Sequence, residues 1–89
     1  MTRLTDALAA LHPSDAAVLS DTHAAADAAE AATVAHARGL ASVECLIVAS
    51  DRAYLAWRRA HDRWAATGDA AMAQAAGRAR RAHRAADRL

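Results

Sequence analysis

His23, Asp27 and Glu30 fall at spacings of four and three, which puts an imidazole and two carboxylates on one face of a helix. Donors grouped this way, with Glu44 or Asp51 approaching from a neighbouring helix, are how helical bundles hold divalent or di-iron centres. The Glu-x-x-His pair that such centres use is missing, since Thr33 follows Glu30 by three residues and Ile47 follows Glu44. The sequence therefore predicts no metal and no cofactor. It reads the three residues as a solvated acidic face pairing with Arg58 or Arg59.

A second group, Tyr54, Trp57, His61 and Trp64, has the makings of a pocket for a flat ligand, or for a haem with His61 as axial ligand. Aromatic residues at helical spacing serve packing first, so a small-molecule ligand is not expected. The last stretch carries Arg78, Arg80, Arg81, Arg84 and Arg88 with His83. Arg81, Arg84 and Arg88 share one face and, with Arg78, form the candidate contact for nucleic acid or another anionic partner. Against specific base reading stand a net charge of only +1 and a stripe without the Asn, Gln and Ser residues that share that work. No defensible helix-turn-helix spacing is present either. Sequence-independent phosphate contact is the alternative function rather than the first.

Enzymatic signals are thin. Gly39, Gly68 and Gly77 are scattered singly, so no phosphate loop exists, and no nucleophile elbow is present. Ser42 and Ser50 read as a helix cap and a packing residue. Cys45 is the only cysteine, which rules out an intrachain disulfide or a thiolate metal cluster within one chain. Arg52, Arg58 and Arg59 could hold an anionic substrate, but no residue stands out as general acid or base, and the expectation leans away from catalysis.

The elements that must position these residues are helices. Alanine makes up about a third of the 89 residues, Lys, Asn and Phe are absent, and the length admits one domain over 1–89. Punctuation predicts four helices, roughly 3–11, 14–38, 43–66 and 69–88. Leu4, Leu8 and Leu11 lie on one face of the first, and Pro13 ends it. Ser14 caps the second, with Pro13 and Val18 placed for a hydrophobic staple. Gly39 stops it as C′ with Leu40 as C″, Ser42 caps the third helix, and Gly68 and Asp69 repeat the stop and start. The fold class is all-α: a small antiparallel bundle made of a hairpin of the third and fourth helices, a long Ala-rich second helix and a short N-terminal helix.

The hairpin rests on matching heptads. Val43, Ile47, Ser50, Tyr54, Trp57, His61 and Trp64 form a seam on the third helix, and Met72, Ala75, Ala79, Ala82, Ala86 and Leu89 form its complement on the fourth. Folding back at Gly68 pairs Trp64 with Met72, Trp57 with Ala79 and Ile47 with Leu89. The same arithmetic about Gly39 sets Val34 beside Ile47 and Asp27 beside Tyr54, with a weaker register because the second helix is alanine on almost every face. That helix, through Val18, Leu19, Ala25 and Ala29, is the expected partner-binding face.

Charge divides along the chain. Residues through Ala37 carry one arginine against five acids, and those from Arg38 onward carry ten arginines against five acids. Either an acidic helix lies on basic helices within one bundle, or one chain's acidic surface docks on another's basic surface. Exposed pairs contribute about 0 to 1 kcal/mol each, so they set orientation more than affinity.

So small an apolar supply in so short a chain favours self-association, because burial stabilises at about 25 cal/mol per Å² and alanine offers little area. The expected function is a protein–protein interaction or assembly module, a homodimer or a complex with another protein, with nucleic-acid binding through the C-terminal arginines as the alternative. No segment reaches the ~18 apolar residues of a membrane span. The amino terminus lacks the basic start and apolar run of a secretory leader, so a cytoplasmic chain without membrane contact is expected.

Overall fold

Ser14, Ser42 and Asp69 each begin a helix by the same chemistry. Their side-chain oxygens accept the backbone N–H of Ala17 (3.1 Å), Cys45 (3.3 Å) and Ala71 (2.9 Å), donors that the helix itself leaves unpaired. A computed structural model describes residues 13–89 and shows three helices, α1 (Asp15–Ala37), α2 (Val43–Thr67) and α3 (Ala70–Asp87). These are the second, third and fourth helices of the sequence reading. The described residues therefore form a three-helix rather than a four-helix arrangement, and the helix expected over 3–11 lies outside them.

Gly39 breaks the chain as its position requires. Its φ of 74° is left-handed, the Leu40 N–H reaches back to the Ala35 carbonyl at 2.8 Å, and the Gly39 N–H donates to the His36 carbonyl at 3.0 Å. These two bonds are a Schellman turn, and the His36 Nδ1–H donates to the Ala41 carbonyl (3.0 Å) across it. Leu40 itself remains 78% exposed, so the apolar contact that often accompanies this turn does not bury it. Gly68, with φ of 71°, also ends a helix in the left-handed conformation, but through a single bond from its N–H to the Trp64 carbonyl at 2.7 Å, while the Asp69 N–H donates to the Thr67 hydroxyl at 3.3 Å.

With two tight turns the chain runs up, down and up, α2 lies antiparallel to both neighbours, and each helix packs on the other two. The interior is nearly all alanine. Among the described residues, eleven of the fourteen buried apolar ones are alanines, and only Val18, Leu46 and Met72 are larger. One cluster joins Ala26 and Ala29 of α1, Ala49 and Ala53 of α2, and Ala82 of α3; the other joins Val18, Ala60, Met72 and Ala76, with Leu19 and Trp57 at its edge. Methyl groups at the meeting points let three helix backbones approach closely. Thr22, also buried, satisfies its hydroxyl on the Val18 carbonyl at 2.6 Å.

The α3 half of the predicted seam is interior from Met72 through Ala86, while Leu89 is 59% exposed beyond the helix end. The α2 half is rotated from its expected place. The buried stripe of α2 is Leu46, Ala49, Ser50, Ala53 and Ala60, whereas Val43, Ile47, Tyr54 and Trp64 remain 37% to 52% exposed. The cause is that α2 faces two helices at once. Its innermost arc bisects the directions of α1 and α3, closest approach selects alanine there, and the bulky residues are displaced to the flank towards α3.

Candidate functional site

The aromatic row lies along that flank and is engaged by α3. Tyr54 packs edge-on against Trp57 with ring centroids 5.5 Å apart, the His83 ring sits 5.4 Å from Tyr54, and the Arg80 guanidinium lies 5.2 Å from the Trp57 centroid. His61 and Trp64 form a further edge contact at 5.5 Å. The face that Trp57 would offer a flat ligand is thus covered by the protein's own cation.

Beside this row, His83 Nδ1 stands 2.9 Å from Ser50 Oγ and 3.1 Å from the Ser50 carbonyl. A serine hydroxyl on an imidazole resembles the start of a nucleophile and its base, but the surroundings do not continue it. Ser50 is only 5% exposed and sits within a helix whose N–H groups are spent on backbone bonds, so no donor pair faces an oxyanion. Among the described residues no carboxylate bonds to His83. The pair satisfies a buried polar group and ties α2 to α3.

The His23, Asp27 and Glu30 face exists, and a cation fills it. Arg78 of α3 extends to α1, where its guanidinium donates to His23 Nδ1 (3.0 Å), to Asp27 Oδ1 and to Glu30 Oε2 (3.1 Å). The hydrogen bonds to the two carboxylates, Asp27's foremost and then Glu30's, raise the Arg78 pKa above its ordinary value. The partner is therefore Arg78 rather than Arg58 or Arg59. Arg63 of α2 makes a second clamp on Asp15 at 2.6 Å and on the Pro13 carbonyl at 2.9 Å. Most of the acidic charge of α1 is thereby paired inside the chain, the first of the two arrangements open from the charge division.

The predicted partner face is largely spent on folding. Val18, Ala25 and Ala29 are at most 1% exposed, interior to the bundle, and Leu19 is half-buried beside the Met72 cluster. An alanine-covered helix suits close packing, but its packing partners are α2 and α3 of its own chain. The arginine group splits. Arg78 turns inward to α1, while Arg81, Arg84 and Arg88 are exposed on the outer side of α3 and make no ion pair among the described residues.

A surface that sequence reasoning passed over lies on the outer side of α2. Val48 is 68% exposed and Leu55 64% exposed, seven residues apart on one face, with Glu44, Asp51, Arg52 and Arg59 exposed around them. Two shallow grooves run between this face and α1, one floored by Ala28, Cys45, Val48 and Ala49, the other by Ala25, Leu55 and Ala56 with Asp21 at its rim. The seven-residue spacing of Val48 and Leu55 is the sequence signal for it, and the stronger aromatic heptad on the same helix overshadows it. No helix among the described residues is long and apolar enough to cross a membrane.

Comparison with protein-family models, curated proteins and solved structures finds no match to this chain.

Proposed function

We propose that the chain is a cytoplasmic assembly module that adheres to another protein surface, its own or a foreign one, through the outer face of α2. The observation that carries this reading is the contrast between an interior built of alanine and two branched aliphatic side chains, Val48 and Leu55, left about two-thirds exposed two turns apart on one face. A bundle of this size gains little area from methyl groups, and covering that face adds apolar burial without rearranging the fold. The rim of mixed charge supplies orientation and partner choice. Cys45, exposed and unpaired, suits a reducing compartment.

Size-exclusion chromatography with light scattering, with the 260/280 absorbance ratio recorded at low and high salt, tests this. The reading expects a nucleic-acid-free assembly that survives salt and is lost in the Val48→Asp, Leu55→Asp double variant. An assembly indifferent to those substitutions would refute it. A second reading draws on Arg81, Arg84 and Arg88, which face outward without carboxylate partners among the described residues; it expects co-eluting nucleic acid that high salt removes.

A further inference from the structure

Building on the assembly reading, we infer that the partner is a second copy of this chain, its α2 laid antiparallel on the first about a two-fold axis level with the Asp51–Arg52 peptide bond. The residues on the outer face are arranged symmetrically about that point in size and antisymmetrically in charge. Val48 and Leu55 lie equally far on either side, as do Glu44 and Arg59 further out. The two-fold operation therefore sets Val48 level with Leu55 of the second copy, Glu44 level with its Arg59, and Asp51 level with its Arg52. Each pairing occurs twice, the self-complementary pattern that an isologous interface demands.

The side chains concerned are free to do this. Glu44, Val48, Asp51, Arg52, Leu55 and Arg59 are all exposed, and none of the charged four enters an ion pair with another described residue, although Asp15, Asp27 and Glu30 of α1 do. The orientation follows from charge as well. Parallel copies in register would oppose Glu44 to Glu44 and Arg52 to Arg52, whereas the antiparallel arrangement opposes unlike charges at every level. Two acids on one side of the axis and two arginines on the other, with Val48 and Leu55 between the inner and outer charges, also fit an antiparallel copy of the same face better than a polyanion, which would favour arginine alone. The grooves floored by Ala25, Ala28 and Ala49 beside this face give the facing aliphatic side chains room to seat.

Charge-swapped variants test the pairing by sedimentation equilibrium. The wild type is expected to be a dimer at submillimolar concentration. Glu44→Arg alone and Arg59→Glu alone each replace two attractions with two repulsions and weaken the dimer on the order of tenfold or more. An equimolar mixture of the two variants recovers the dimer, because the introduced arginine meets the introduced glutamate while Arg59 of one chain meets Glu44 of the other. Both positions are exposed, and recovery on mixing itself demonstrates that the variants are folded. A monomeric wild type, a dimer indifferent to either swap, or a mixture that stays monomeric would overturn the inference. An assembly that depends on Val48 and Leu55 but has a mass other than two copies would overturn it while leaving the assembly reading in place; independence from those residues would remove both.

Discussion

Replacing Ala53 with leucine probes the alanine interior where it is tightest. Ala53 is fully buried, and its cluster consists of Ala26, Ala29, Ala49 and Ala82, drawn from all three helices. Leucine adds three carbon atoms at a point where the other members of its apolar cluster are all alanines with no rotatable side chain to move aside, so most of the added volume must be taken up by separating the helices. Overpacking costs typically 1–3 kcal/mol, and an all-alanine apolar cluster puts the expected loss towards the upper end, at about 3 kcal/mol. A domain of this size holds a stability of the order of 5–15 kcal/mol at most, so the change is a large fraction of the whole. At about 4–8 °C per kcal/mol, the midpoint of thermal unfolding falls by roughly 12–24 °C. Circular dichroism at 222 nm, with urea titrations on the same samples, reads both quantities. The exposed control Ala24→Leu should stay within about 0.5 kcal/mol of wild type, since leucine is nearly as good a helix former. A leucine at 53 as stable as the control would refute the account of a close-packed alanine core.

Two glycines are expected to respond with opposite signs. Gly68→Ala forces a Cβ into a left-handed cap and should cost about 1–2 kcal/mol, while Gly77→Ala, inside α3 with only the flexible Arg81 guanidinium 3.4 Å from the new methyl, should stabilise by about 0.5–1 kcal/mol in the same urea titrations. Arg78→Met removes the clamp on His23, Asp27 and Glu30 and should lower the melting temperature at low salt, with the difference shrinking at high salt. Arg81→Glu with Arg84→Glu alters a different helix and should leave the mass measured by light scattering unchanged; a change in mass would move the interface to α3.

The parts of this fold that sequence made legible are those written in local chemistry. Ser14, Gly39, Ser42, Gly68 and Asp69 each act within a turn or two of themselves, so their roles follow from residue type and position. The α3 stripe from Met72 to Ala86 was also legible, because the polar residues around it leave one apolar direction. The α2 face was not. Read as half of a two-helix hairpin, its aromatic heptad claims the interior, and only the presence of α1 on the other side rotates Ala53 and Ala60 inward and Tyr54 and Trp64 to the flank.

Surfaces were harder still. Val18, Ala25 and Ala29 looked available because α1 carries alanine on every side, and periodicity that weak does not say which side faces in. Arg78 looked like one of a row of outward arginines, yet it sits on the edge of α3 nearest α1, within reach of Asp27 and Glu30. Which of several equivalent side chains is consumed inside the fold is decided by a third helix, and pairwise reading of the chain does not contain it.

The central claim is that the outer face of α2 is adhesive, and sedimentation velocity of the wild type beside the Val48→Asp, Leu55→Asp variant tests it most directly. The account predicts a wild-type sedimentation coefficient that rises with concentration towards that of an assembly, and a variant that is equally helical and sediments as a monomer throughout. Identical concentration dependence in the two proteins would contradict it.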